Sequence, residues 1–258
     1  MPFPGHWIVP DWPVPANVHA VCSTRAGGVS QGPYSSLNLG DHVGDDPGAV
    51  AENRRRFRDH LQARPVFMRQ VHGTAVAEFT ERTGDGIEAD ACATSTAGLA
   101  CTIMVADCLP VLFAAGDGAA VAAAHAGWRG LAGAGGIGAT ESACRALCSA
   151  SGASPADLTA WLGPCIGPRA FEVGPEVKDA FTATDRGAAA MFVPAREGKW
   201  LANLPGLARR RLQAMGVTAI HGNDGSDQWC TVANPSRFFS HRRDAGRSGR
   251  FAAAVWLG

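Results

Sequence analysis

Three side chains with metal-binding chemistry stand at the ends of apolar runs in this 258-residue chain. Pro65-Val-Phe-Met-Arg-Gln-Val71 leads into His72, Leu99-Ala-Cys-Thr-Ile-Met-Val-Ala106 leads into Asp107 and Cys108, and Ala119-Ala-Val-Ala-Ala-Ala124 leads into His125. Two imidazoles and a thiolate form a three-ligand set for a catalytic zinc, which keeps its fourth position open for water. Such an ion draws the pKa of a bound water towards about 7. The same donors with a weak axial Met suit a single copper, but the nearest Met, Met104, precedes Cys108 by four residues. The long, unequal spacings are not those of a compact zinc finger. The metal reading therefore rests on the shared position at strand exits, where rigid elements hand over to loops. Each residue also has a structural alternative: a hydrogen-bonded loop His for His72, a buried thiol for Cys108, a satisfied core His for His125.

The elements that must position these groups are strands. Val18 to Ser23, Pro65 to Val71, Ala75 to Thr80, Leu99 to Ala106, Leu109 to Ala115, Ala119 to Ala124, Leu158 to Leu162 and Phe251 to Leu257 have strand length and apolar content. Helices are expected over Pro47 to Ala63, with Asp46 as N-cap, and over Leu131 to Ala150, Gly174 to Ala183 and Leu204 to Met215. Strands in the middle with helices on both sides predict a mixed α/β domain. Residues 1–17, rich in Pro, are expected as an extended segment ahead of a single catalytic domain over 18–258.

After His125 the chain runs Ala126-Gly-Trp-Arg-Gly130 and becomes helical. A strand-to-helix passage leaves backbone N–H groups for an anion, and Arg129 adds a charged donor. The alternative is a tight turn over a packed Trp128. Gly133 to Gly138 spells G-x-G-x-x-G, but inside an expected helix rather than at a strand end, so it does not predict a dinucleotide site. Cys165 reads as a structural thiol. Arg242-Arg243 and Arg247 to Arg250 form either a solvated face or an anion clamp.

Composition narrows the partners. Lys plus Arg and Asp plus Glu are both 23, so the net charge is zero; a nucleic-acid binder needs a positive surplus. All the basic residues but Lys178 and Lys199 are Arg, which suits small carboxylates or phosphates. No run is long and apolar enough for a membrane helix. The first residues lack a signal-peptide pattern, so the eight Cys are expected as reduced cytoplasmic thiols.

Cys22-Ser-Thr-Arg-Ala-Gly-Gly28, Leu37-Asn-Leu-Gly40, His42-Val-Gly-Asp-Asp-Pro47, Asn53-Arg54, Gln70-Val-His-Gly73, Ala89-Asp-Ala91, Ala106-Asp-Cys-Leu-Pro110, His125-Ala-Gly-Trp-Arg-Gly130, Leu162-Gly-Pro164 and Ser240-His-Arg-Arg243 follow in order. Together they resemble the polyphenol oxidase or laccase-domain family of the YfiH type, from about residue 18 to the C-terminus. The resemblance implies an α-β-β-α sandwich and a metal held by His72, Cys108 and His125, with zinc first and copper second. It implies phosphorolysis of adenosine, inosine, guanosine and methylthioadenosine, and deamination of adenosine. One branch is described as editing a peptidoglycan precursor by removing a misplaced serine, and an older description is copper-dependent polyphenol oxidation. A multicopper oxidase holds its ions largely with His-x-His pairs; this chain has eight His and no such pair. A non-catalytic zinc protein remains the alternative outside enzymology.

Within that resemblance the expected catalytic residues are Asp107, Gln70 and Arg25, with Asp90 sharing the candidacy for proton transfer. Asn38, His42, Arg54, Arg129 and Arg243 are expected at the nucleoside or its phosphate. The expected partners are those small molecules, without nucleic acid or membrane, and the expected state is a monomer.

Overall fold

The computed structural model describes residues 3–258. In chain order the first half contains β1 (Val18–Cys22), α1 (Pro47–Leu61), β2 (Arg64–Phe67), β3 (Val76–Glu78), β4 (Ala91–Thr94), β5 (Leu99–Val105), β6 (Leu109–Ala115) and β7 (Val121–Ala126). Then come α2 (Trp128–Ala132), α3 (Ala139–Ser151), β8 (Leu158–Leu162), β9 (Glu172–Val173), α4 (Pro175–Thr182), β10 (Phe192–Pro194), β11 (Trp200–Ala202), α5 (Leu204–Ala214), β12 (Ala219–Gly222) and β13 (Phe251–Leu257).

Two sheets carry the architecture. One has the order β1-β13-β5-β2 and the other β12-β8-β6-β7-β4-β3. Every residue of β5, β6, β7 and β13 is buried, which is why these strands read as continuous apolar runs instead of alternating ones. Val105, Ile103, Cys101 and Val255 of the first sheet meet Leu112, Ala114, Val121 and Ala123 of the second in one core. The outer face of the first sheet packs on α1 through Phe57 and Leu61. The outer face of the second is covered by α3, α4 and α5 through Ala143, Leu147, Val177, Phe181, Leu207 and Leu212. The layers are thus α-β-β-α, as the resemblance implied.

Local chemistry sets the helix ends. Asp46 accepts the Ala49 N–H at 2.8 Å and Pro47 opens α1. The helix expected from Leu131 to Ala150 is two helices, because Gly133 (φ 62°), Gly135 (59°) and Gly136 (80°) adopt left-handed conformations. A Cβ at Gly133 would overlap the Ile137 carbonyl, so the G-x-G-x-x-G letters encode a helix break. Strands β4 and β12 and the small sheet β10-β11-β9 are additions to the sequence reading. Near the start of the chain, Trp7 is buried in the α1-side core and Ile8 exchanges backbone hydrogen bonds with Cys22.

Candidate metal centre

The three donors converge, although the strand expected over Pro65 to Val71 ends at Phe67, five residues before His72. The ligand atoms of His72, Cys108 and His125 lie within 4.8 Å of one another. His125 belongs to β7 itself rather than to the loop after it. Cys108 sits in the tight β5–β6 connection, where Asp107 has φ 90°. His72 lies in a turn beyond β2 with φ 63°. Positive φ is uncommon for residues with a Cβ and is sustained by surrounding contacts.

For the His72 turn those contacts come from Asp90. This fully buried carboxylate accepts the backbone N–H groups of Val71, His72 and Gly73 at 3.1, 2.9 and 2.6 Å. Its Oδ1 is also 2.8 Å from Nδ1 of His125. Burial disfavours the charge on Asp90, but His125 and the amide donors outweigh it and hold the carboxyl below its usual range. With Nδ1 occupied, Nε2 of His125 is the nitrogen left for an ion. Gly127 leaves room for the donors: a Cβ there would sit 2.8 Å from the Cys108 sulfur.

Burial alone would push the Cys108 thiol up; His125 and His72 outweigh it and bring it to about 6. Burial pulls His125 down, but Cys108 and Asp90 raise it to about 9. The result is a thiolate–imidazolium pair at neutral pH. A soft thiolate and two imidazoles clustered beside a cavity fit zinc with an open position, and also fit copper. Met104 does line the cavity, contrary to its placing by sequence spacing, but its sulfur is approached by Arg54 Nη2 at 3.9 Å.

The cavity over these ligands is about 220 Å³. Enclosed small-molecule sites span roughly 300–1,000 Å³, so a ligand here would project through the mouth. His42, Gln70 and Asp107 line it. Both ends of the Gln70 amide are engaged, Nε2 donating to the Met104 carbonyl and Oε1 accepting its N–H, each at 2.9 Å. Asp107 accepts the Thr231 hydroxyl at 2.5 Å and the Arg242 backbone N–H at 2.6 Å.

The other predicted polar residues lie outside the cavity lining. Arg25 donates to the Ser35 and Pro235 carbonyls and sits in a separate hollow with Pro33, Asp244 and Arg247. Asn38 is buried, donating to Gly40 O and Asp45 Oδ2 and accepting the Arg250 N–H. Arg54 donates to Leu39 O and pairs with Asp41. Arg129 is exposed with its guanidinium 4.4 Å from the Trp128 ring centre. Arg243 donates to the Thr231 and Phe238 carbonyls and pairs with Asp244. Loop and chain-end carbonyls therefore occupy most of the arginines expected at an anion. The helix expected to offer its N–H groups, α2, has five residues.

Sequence reasoning did not single out Arg250, His241, Trp128, Phe171 and Leu204 as lining residues. Arg250 is brought in by its backbone bond to Asn38, 212 positions away. Its membership of the Arg247 to Arg250 cluster, weighed above as an anion clamp or a solvated face, was the signal for it.

A model of the family described as multi-copper polyphenol oxidoreductase laccase matches residues 19–258. The chain is 52% identical to purine nucleoside phosphorylase PA4543 of Pseudomonas aeruginosa over 252 residues, 97% of this chain and 98% of that one. It is 49% identical to purine nucleoside phosphorylase YfiH of Escherichia coli, with the same coverage. The crystal structure of Neisseria meningitidis protein NMB0706 superposes with a TM-score of 0.88 at 45% identity, covering 98% of this chain and 99% of that one. Among the described residues no helix is long and apolar enough to cross a membrane. The strand-exit ligands, the four-layer fold and these near-full-length matches agree: the chain belongs to the polyphenol oxidoreductase laccase family, alongside relatives named as YfiH-type purine nucleoside phosphorylases.

Proposed function

We propose that the protein is a zinc-dependent purine nucleoside phosphorylase acting on adenosine, inosine, guanosine and methylthioadenosine, and that the same pocket deaminates adenosine. The observation that carries this reading is the joining of a His72–Cys108–His125 donor set to a cavity whose lining includes Trp128, Phe171, Arg242 and Arg250. His72, Cys108 and His125 would hold the zinc, which would supply Lewis-acid chemistry beside the cavity. Trp128, Phe171, Leu204 and Ile166 give the lining an apolar and aromatic part suited to a purine base.

Arg250 and Arg242 offer guanidinium groups to inorganic phosphate. Arg250 Nη1 donates to the Ser248 and Gly249 carbonyls and Arg242 Nη1 to the Glu172 carbonyl, so both groups are pre-oriented. Positioning and fixed charge are the large contributions to such a displacement. Asp107 holds the Arg242 backbone, and Gln70 ties the His72 segment to the end of β5; their hydrogen bonds favour positioning roles for both. The test is to give the zinc-loaded protein adenosine with and without phosphate and separate the products. Adenine with ribose 1-phosphate is expected only with phosphate, and inosine, the deamination product, without it; neither product at any protein concentration would refute the reading.

One observation favours a second reading. Asp90, His125 and Cys108 form a carboxylate–imidazole–thiolate relay, the arrangement of a nucleophilic thiol with an oriented base. That geometry suits hydrolysis of an amide such as the seryl bond of a peptidoglycan precursor. Phosphate-independent release of serine from a UDP-muramoyl conjugate would support it.

A further inference from the structure

Two imidazoles outside the metal-ligand set line the cavity, His42 and His241. His42 has an orienting carboxylate: its Nδ1 lies 3.5 Å from Asp41 Oδ1. Asp41 Oδ2 lies 3.1 Å from Arg54 Nη2. Arg54 is fixed in turn, with Nε donating to Leu39 O at 2.9 Å and its guanidinium 4.3 Å from the Phe67 ring centre. The series Arg54–Asp41–His42 therefore runs from α1 to the cavity wall and leaves Nε2 of His42 as the nitrogen for a ligand. His241 has no such carboxylate partner among the described residues. The 3.5 Å separation is long for a hydrogen bond, and acid–base contacts of this kind tighten when substrate binds.

We infer that His42, oriented by Asp41, is the proton-transfer residue of phosphorolysis, carrying the proton of hydrogen phosphate to the departing purine. The inference rests on the phosphorolytic reading above. As a phosphate oxygen forms its bond to C1′, the C1′–N9 bond breaks and the purine keeps that electron pair. Hydrogen phosphate enters with one proton, and the ribose 1-phosphate dianion leaves without it. Nε2 of His42 takes that proton and gives it to the purine nitrogen, so the imidazole ends neutral, as it began. The charged groups near His42 agree with this starting state. Burial first, then Arg250 and Arg54, pull the imidazole below its ordinary range, while Asp41 opposes them. Arg250 also lies on the wall where phosphate is proposed, so donor and relay share one site.

The experiment compares two nucleosides in wild-type and His42→Ala protein, each loaded with zinc and given inorganic phosphate. Inosine needs a proton on its leaving base; 7-methylguanosine does not, because its cationic base departs already neutralised. General acid–base transfer is worth about 10²–10⁴-fold. The expected result is a loss of that size in kcat for inosine with 7-methylguanosine turnover kept within about tenfold. Retained 7-methylguanosine turnover also reports an intact fold. Asp41→Asn should lose less on inosine, spare 7-methylguanosine, and leave KM for phosphate unchanged. Equal losses on both nucleosides in His42→Ala and in His42→Asn, with unchanged thermal midpoints, would overturn the inference. A wild-type protein inactive on both nucleosides would instead overturn the phosphorolytic reading itself.

Discussion

The Asp90 carboxylate and the His125 imidazole meet at 2.8 Å inside the protein, and the same carboxylate accepts the backbone N–H of His72 at 2.9 Å. One buried side chain therefore orients two of the three candidate ligands, one through its ring and one through its main chain. The strained turn at His72 and the tautomer of His125 have a common cause.

Replacing Asp90 with Asn should weaken both. An amide presents an N–H where a backbone donor or the imidazole N–H needs an acceptor. Loss of a hydrogen-bonded carboxylate partner costs zinc affinity about 10–100-fold, and the unmatched buried donors cost on the order of 1.5–3 kcal/mol of stability. Zinc titration of the variant and its urea unfolding measure the two effects separately.

Zinc affinity should depend on pH with a definite sign. Between about pH 6 and about 9, Cys108 is already a thiolate while His125 still holds a proton. Uptake of the ion then displaces that one proton, so affinity rises about tenfold per pH unit in this window. Above about 9 the rise levels off, and below about 6 it steepens because Cys108 must also lose a proton. Competition titrations against a chelator of known affinity at several pH values give the slope.

Gly127→Ala should separate metal binding from folding. The residue has φ −66° and ψ 163°, a conformation Ala adopts without strain. Its new Cβ would nevertheless lie 2.8 Å from the Cys108 sulfur and 3.2 Å from Cδ2 of His72. Zinc affinity should fall by roughly tenfold or more, with a thermal midpoint close to that of the parent. Calorimetry with and without zinc distinguishes this from general destabilisation.

Arg250 and Arg243 should respond differently. Arg250→Ala removes a guanidinium from the cavity wall, and KM for phosphate should rise about 10–100-fold, the worth of a charge-assisted contact. Arg243 is committed to the Thr231 and Phe238 carbonyls and to Asp244. Arg243→Ala should lower stability by about 1.5–3 kcal/mol and leave KM for phosphate near its parent value. Steady-state kinetics together with unfolding curves read both.

Cys108 and His125 were legible in the sequence because β5, β6 and β7, which carry them, are buried on both faces; His72 stands in a turn five residues past β2. Leu99 to Val105 and Leu109 to Ala115 have no polar alternation to obscure their length, and a polar residue at the end of such a run stands out. The helix over Leu131 to Ala150 was misread because small residues satisfy helical spacing while Gly133, Gly135 and Gly136 take the left-handed conformation. Strand β4 is four residues long and β12 is only half-buried, which leaves little pattern for either. The arginines show the largest gap. Nothing local separates Arg250, which reaches the cavity, from Arg25, whose donors meet the Ser35 and Pro235 carbonyls. That difference is settled by contacts between segments up to 212 positions apart.

The most direct test of the account is a zinc titration of metal-free protein followed by phosphate-dependent release of purine from adenosine. Activity should climb with added zinc, reach its plateau at one equivalent per chain, and be absent from Cys108→Ala at every zinc concentration. Activity that ignores zinc, needs several equivalents, or survives in Cys108→Ala would contradict a single His72–Cys108–His125 centre as the seat of the reaction.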